Sequence, residues 1–393
     1  MFGIPSLVAT AASAVLFVPA AVLCVEALGS LLPQRQPRER EQRPFRFAVL
    51  MPAHDEESGI EATVRALRAE LAPGDRLLVV ADNCSDRTAE LARTAGAEVV
   101  ERHDAERRGK GHALSFGIEV LAETPPDAVV IMDADCRVER GTLRQLAAQA
   151  LDAGRPVQAV YLMKAPTDRG FSGVSAFAFL VRNLVRPTGL SRLGLPCQLT
   201  GSGMAFPWAV LRDAPATESQ LVEDLMLGHE LALEGCAPLL CQDVLVGSDL
   251  PSGEAASLKQ RRRWEHGQLA ILLGTAPRLL RQGLLRGDAG LVALALDASV
   301  PPLALLVTLQ GAVTVGTLGV AALGGSLLPT GIALTATSLV ALGLSAAWLK
   351  HGRGVLPPAD LAKIPRYVLW KLPLYGSFVR RGPHGEWERT ERS

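Results

Sequence analysis

The sequence predicts an α/β domain with a mostly parallel sheet, followed and preceded in the chain by transmembrane helices. Three observations predict it. Apolar strands alternate with helix-length segments over residues 47–152, apolar stretches of membrane length lie toward both ends, and acidic residues close two of the strands. A chain of 393 residues has room for one large domain or two ordinary ones.

Residues 7–32 are apolar apart from Glu26 and an occasional Pro, longer than the roughly 20 residues a helix needs to cross hydrocarbon. No Lys or Arg precedes this run, whereas Arg35, Arg38, Arg40, Arg43 and Arg46 follow it. That argues against a cleaved signal peptide and, by the positive-inside rule, puts the N-terminus outside and the next domain in the cytoplasm. The expected organisation starts with a transmembrane helix in 1–33, a basic linker in 34–46 and a cytoplasmic catalytic domain in 47–285.

Within that domain, strands are expected at 47–53, 76–81, 97–101 and 128–132, with helices between them, one from about Arg87. Apolar strands divided by helices imply a parallel sheet covered on both faces. Asp82 follows the second strand and Asp133 the fourth, so both belong at the carboxyl edge, where open α/β sheets bind ligands. Beyond residue 153 the pattern is less regular. It contains Gly201-Ser202-Gly203 and a helix over 221–234 that stops at Gly235.

Two further apolar runs, 299–323 and 327–349, are separated by Gly324-Gly325-Ser326 and followed by Lys350, His351 and Arg353. They predict a membrane region over 286–350 and a cytoplasmic or interfacial tail over 351–393, which agrees with the orientation of the first span. Residues 278–296 and 361–381 mix Arg with Leu, Val, Tyr or Trp, as helices lying in a bilayer interface do. Packing helices of the soluble domain have the same pattern.

The formal net charge is zero, against a domain-wide basic face for nucleic acid, so electrostatics must act locally. Six cysteines are scattered with no CxxC pair and no metal-like spacing, as in a reducing compartment. No HExxH, GxSxG or GxGxxG occurs, and Gly109-Lys110-Gly111 lacks the rest of a Walker motif.

Asp133-Ala134-Asp135 follows the buried strand Val129-Val130-Ile131-Met132. In an extended segment residues two apart project the same way, which pairs the carboxylates for a hard cation, Mg2+ or Mn2+, completed by substrate phosphates. A phosphatase of the haloacid-dehalogenase type would use the first Asp as nucleophile, but Arg137 stands where its Thr belongs. A capped strand-to-helix turn is the purely structural reading. Glu223 and Asp224 open a helix, either complementing its dipole or supplying the general base for an attacking hydroxyl. The arginines of Lys259-Gln260-Arg261-Arg262-Arg263-Trp264 suit diphosphate oxygens and the Trp264 indole suits a sugar face; anionic lipid at a membrane surface is the alternative.

Taken in order, His54-Asp55-Glu56, Asp82-Asn83-Cys84-Ser85-Asp86, Gly109-Lys110-Gly111-His112, Asp133-Ala134-Asp135, Glu223-Asp224 and Gln260-Arg261-Arg262-Arg263-Trp264 resemble the family 2 glycosyltransferases, over about residues 47–270. The order is similar to the cellulose-synthase-like and hyaluronan-synthase-like membrane branch. The resemblance implies a GT-A fold in which Asp55, Glu56 and Asp82 hold the nucleotide, with Lys110 beside it. It further implies that Asp133 and Asp135 bind donor and metal, that Asp224, next to Glu223, is the base, and that Gln260 and Arg263 steady the diphosphate. Trp264 and Gly201-Ser202-Gly203 fall on the acceptor side.

The sequence departs from the family at His54-Asp55, where Tyr-Asn or Pro-Asn is usual, and at Val222, where Thr precedes Glu-Asp; neither change removes a carboxylate. The implied partners are a nucleotide-sugar donor, UDP before GDP, a carbohydrate or lipid-linked acceptor, and the bilayer. A polymer and a single transfer, as in ceramide-glucosyltransferase-like relatives, both stay open. A membrane scaffold with a retained transferase fold is the alternative from a different class.

Overall fold

The computed structural model describes residues 3–34, 44–164, 171–215, 222–249 and 254–381, with side chains from 254–261 and 377–381 excepted. In chain order the first elements are α1 (Ile4–Gly29), β1 (Phe47–Ala53), α2 (Ile60–Arg68), β2 (Arg76–Asp82), α3 (Thr88–Thr94), β3 (Glu98–Arg102), α4 (Lys110–Ala122) and β4 (Ala128–Ile131). Next come β5 (Arg137–Val138), α5 (Thr142–Ala153), β6 (Val157–Lys164), α6 (Ser172–Leu180), α7 (Arg186–Arg192), β7 (Met204–Pro207), α8 (Trp208–Arg212), α9 (Glu223–Leu233) and β8 (Leu239–Asp249). Helices α10 (Glu254–Leu273), α11 (Thr275–Arg286), α12 (Ala289–Ala298), α13 (Leu303–Ala322), α14 (Leu328–Ala347) and α15 (Ile364–Arg381) complete the chain. Two compact units result: one holds the strands with α2–α5, α8 and α9, the other the remaining helices.

The sheet runs β3-β2-β1-β4-β7-β6-β8-β5 among the described residues. Its first half is parallel, with β1 between β2 and β4, as the buried apolar strands predict. The second half is mixed: β7 runs antiparallel to both β4 and β6, while β6 and β8 are parallel. Pro52 sits inside β1 without breaking a ladder. Leu50 accepts from the Met132 N–H, so alternate residues face β4, and at Pro52 that strand has already ended.

Helix α4 lies close against the sheet because Gly117 has no Cβ: one built there would stand 2.4 Å from Leu50 Cδ1 and 3.0 Å from Val80 Cγ2. This contact belongs to a core of Leu50, Val80, Leu121, Ile131, Met204 and Phe206. It also points the N-terminus of α4, and therefore Lys110, at the carboxyl edge of β1, β2 and β4. The helix expected over 221–234 is α9, with Leu221 outside the described residues and Gly235, at φ +85°, stopping it.

Among the described residues, the helix unit contains three helices long and apolar enough to cross a membrane, Ile4–Gly29, Leu303–Ala322 and Leu328–Gly352. Helices α11, α12 and α15 take the stretches mixing arginine with apolar residues, and they group with the apolar helices rather than with the sheet. Glu26, the charge inside the first apolar run, is buried against Arg186 Nε at 2.7 Å; the same guanidinium reaches Asp297 Oδ1 at 2.5 Å and its carbonyl at 2.6 Å. A buried acid is thereby paired, as burial in an apolar setting requires.

Candidate active site

Beyond β4 the chain turns, with the Cys136 N–H donating to the Asp133 carbonyl at 3.1 Å. One oxygen from each of Asp133 and Asp135 and the Cys136 sulfur lie within 4.8 Å of one another. The turn, and not the alternation of an extended strand, brings the two carboxylates together. The Asp133 N–H donates to Ser202 Oγ at 3.1 Å, and that hydroxyl donates to Cys136 Sγ at 3.1 Å. Burial, then the charges of Asp133 and Asp135, push the Cys136 thiol far up, so it stands as a neutral group beneath the acids.

Lys110 is the first residue of α4, after Gly109 at φ +125°. Its Nζ is 2.5 Å from Asp133 Oδ1 and donates to the Gly201 carbonyl at 2.5 Å. Burial works to lower this ammonium, but Asp133, Glu223 and Asp224 outweigh it and hold the Lys110 pKa above the ordinary lysine range. Asp224 stands at the start of α9, its Oδ1 accepting the Leu225 N–H at 2.8 Å. Gly201, at φ +90°, passes between these groups: a Cβ there would lie 2.9 Å from Asp224 Oδ2 and 3.6 Å from Lys110 Nζ. The expected residues Lys110, Asp133, Asp135, Gly201, Ser202, Gly203, Glu223 and Asp224 thus form one neighbourhood, acidic overall and centred on a single ammonium.

Gln158, 1 % exposed in β6, is a member that sequence reasoning missed. Its amide nitrogen donates to the Ser202 and Ala159 carbonyls at 2.8 Å, and its Oε1 accepts the Thr200 N–H at 2.8 Å. It clamps the glycine loop from below. The available signal was a lone amide in the apolar strand Val157-Gln158-Ala159-Val160, since a buried polar side chain must find partners.

The other expected donor residues stand at the ends of β1 and β2. Asp55 and Asn83 have φ of +51° and +52°, and among the described residues they alone are non-glycine residues in that region. The Asp55 carboxylate accepts the Ser85 N–H at 2.6 Å, and the Glu56 N–H donates to Thr88 Oγ1 at 2.7 Å. Asp82 Oδ1 accepts from Arg102 Nη1 at 2.6 Å and Asn83 Nδ2 at 3.1 Å. Arg102 Nη2 continues to the Arg107 carbonyl at 2.7 Å and to Asp104 Oδ2 at 3.2 Å. One guanidinium, again unforeseen from sequence, therefore joins Asp82 to the loop that delivers Lys110.

Gln260, Arg263 and Trp264 are carried by α10 in the helix unit. The side chain of Gln260 lies outside the described residues. Trp264 is half-buried, its ring 5.8 Å from that of Phe179 at 43°. The neighbouring Glu265 is buried in an ion pair with Lys371 of α15.

The acidic cluster and its adjacent ammonium stand at the carboxyl edge of the sheet, the edge at which open α/β sheets bind ligands. Residues 44–267 match the family described as glycosyltransferase-like family 2, and the chain belongs to it. The chain is 33% identical over 111 residues to a probable glycosyltransferase of Bacillus subtilis (strain 168), covering 26% of each chain. It is 40% identical over 106 residues to an uncharacterized glycosyltransferase of Mycobacterium bovis, covering 27% of this chain and 44% of that one. The chain thus spans less than half the length of these relatives. Its fold is similar to that of a mannosyltransferase of Pyrobaculum calidifontis in complex with GDP-Man and Mn2+, with TM-score 0.58 and 20% identity, covering 94% of this chain and 100% of the other.

Proposed function

We propose that this protein is a membrane-bound, inverting glycosyltransferase of the cellulose-synthase-like and hyaluronan-synthase-like branch. It moves a hexose or N-acetylhexosamine from a nucleotide sugar, UDP before GDP, to a polysaccharide or lipid-linked acceptor in cell-envelope or exopolysaccharide synthesis. The observation that carries the reading is the convergence of Asp133, Glu223 and Asp224 on Lys110, within a chain of this family. The fold neighbour holds GDP-Man and Mn2+, which supports a nucleoside diphosphate sugar and a divalent cation.

In this reading Asp133 and Asp135 hold Mg2+ or Mn2+, which when bound neutralises the diphosphate leaving group. Their carboxylate spacing within 4.8 Å fits such an ion. Asp224 accepts the proton of the acceptor hydroxyl as that oxygen bonds to the anomeric carbon; the bond from that carbon to the diphosphate oxygen breaks, and the nucleoside diphosphate leaves. Glu223 and Lys110 set the field around the base and the departing phosphate. Gly201-Ser202-Gly203, clamped by Gln158, lines the acceptor side.

Asp82 binds the nucleotide base with Asp55 and Glu56 in the same loop cluster. Gln260 and Arg263 steady the diphosphate, and Trp264 meets the acceptor. The three apolar helices span the bilayer, and the arginines after the first span put the sheet unit in the cytoplasm.

The test is to incubate membranes containing the full chain with a panel of labelled nucleotide sugars. Transfer from one donor beyond slow hydrolysis is expected, and sizing the product separates polymer from glycolipid. A chain that binds donors but transfers none of them would be the scaffold instead.

A further inference from the structure

A second set of metal-ligating atoms gathers outside the acidic cluster, between the loops after β1 and β2. A ring nitrogen of His54, a carboxylate oxygen of Asp55 and the Cys84 sulfur lie within 4.8 Å of one another. The loops are stitched by Glu56 N–H to Thr88 Oγ1 at 2.7 Å and Glu57 N–H to Asp86 Oδ2 at 3.1 Å. His54 Nδ1 is 2.6 Å from the Asp82 carbonyl oxygen, and a carbonyl only accepts. Nδ1 therefore carries the proton, and Nε2 is the atom facing Asp55 Oδ2, at 3.8 Å.

The Asp55 carboxylate, 6 % exposed, is oriented by the Ser85 N–H and hydroxyl. The Asp55 N–H donates to Cys84 Sγ at 3.5 Å, and the thiol donates to the Ala53 carbonyl at 3.5 Å, a bond it would give up when a cation replaces its proton. A nitrogen, an oxygen and a sulfur, with the imidazole fixed by a backbone carbonyl and the carboxylate by its own donors, make the ligand set and outer contacts that zinc-class cations use.

We propose that His54 Nε2, Asp55 Oδ2 and Cys84 Sγ bind one zinc-class divalent cation, leaving a fourth position for water or another ligand. Binding releases the Cys84 proton to solvent and forms a metal–thiolate bond with no change of oxidation state. The cation would rivet together the β1 and β2 loops, where Asp55 and Asn83 keep positive φ. The metal site shares Asp55 with the loop that holds the nucleotide in the proposed transferase, but its three ligands are brought together by the fold itself, and metal binding is read without donor or acceptor.

The experiment titrates the purified full chain with Co2+ alone and follows thiolate-to-cobalt charge-transfer absorption, which carboxylates cannot produce. One equivalent with such a band is expected, kept in Asp135→Asn and Cys136→Ser, with affinity at least ~10-fold weaker and the band lost in Cys84→Ser. No band in the parent chain, a band that survives Cys84→Ser, or one that disappears with Cys136→Ser overturns the site. In case Cys84→Ser folds poorly, the parent chain is alkylated with and without Zn2+ and its peptides are mapped by mass. Protection of Cys84 is expected, and equal labelling overturns the proposal. Sugar transfer enters neither readout, so failure here leaves the proposed activity standing.

Discussion

Acids surround one cation in two regions of this molecule, and the two are built for opposite ends. In the helix unit the Arg186 fork donates to Glu26 and to both the carboxylate and carbonyl of Asp297, all buried. That arrangement is closed. A planar guanidinium with several fixed hydrogen bonds has no easy substitute, and removing it would strand two carboxylates in an apolar setting. At the sheet edge Lys110 offers a compact ammonium to Asp133, Glu223 and Asp224, which are half-buried and mounted on a turn and a helix start. A point charge there can be shared with an arriving metal or diphosphate. The difference teaches that a cluster of charge reads as structure or as chemistry according to whether its cation is locked or exchangeable.

The widest separation between the two regions comes from Asp224→Asn. Loss of a general base costs ~10²–10⁴-fold in turnover, so kcat should fall by that amount while donor binding and thermal stability persist. Full turnover in a radiolabel assay would remove Asp224 from the role of base. Arg186→Met should do the reverse, destabilising the helix unit by about 3–5 kcal/mol, read as loss of folded protein in detergent. The parallel change Lys110→Met should stay within about 1 kcal/mol of the parent in stability, because its carboxylates retain solvent, yet should lose transfer. Equal melting losses in Arg186→Met and Lys110→Met would erase the distinction.

Gly201→Ala comes next. A φ of +90° costs a side chain about 1–3 kcal/mol, and the new Cβ would press on Asp224 Oδ2 from 2.9 Å. A displacement of the base on the ångström scale predicts a ~10²-fold drop in kcat, measured with saturating donor. Chelation should abolish transfer in vesicles and added Mn2+ should restore it; unchanged transfer after chelation would take the metal role away from Asp133 and Asp135.

What was legible in the sequence was what is local. The strand Phe47–Ala53 has the expected bounds because a seven-residue apolar run buried on both faces has no other reading, and Asp82 and Asp133 follow from where such runs stop. The apolar helices were legible for the same reason, by length and composition. The antiparallel entry of β7 was not, since four residues next to a glycine loop carry no period. Gln158 and Arg102 were hidden because their importance lies in partners 44 and 20 positions away. The pairing of Asp133 with Asp135 was anticipated for a reason the structure replaces, a turn in place of strand alternation. The approach of Cys84 to His54 and Asp55 escaped because residues split between two loops leave no spacing to read.

Arg102 supplies the smallest and most discriminating prediction, because it is a locked cation like Arg186 placed inside the region of exchangeable charge. Its Nη1 holds Asp82 Oδ1 while Nη2 spans to the Arg107 carbonyl and Asp104. Arg102→Lys keeps one positive charge near Asp82 but cannot make both connections. If Asp82 reads the base and Arg102 only positions it, donor KM should rise about tenfold, the worth of one hydrogen bond to a charged group, with kcat close to the parent. Inhibition by free UDP relative to GDP should shift at the same time, which a general loss of stability would not produce. A drop in kcat at constant KM and constant UDP-to-GDP ratio would instead assign Arg102 to the Lys110 loop and separate base reading from Asp82.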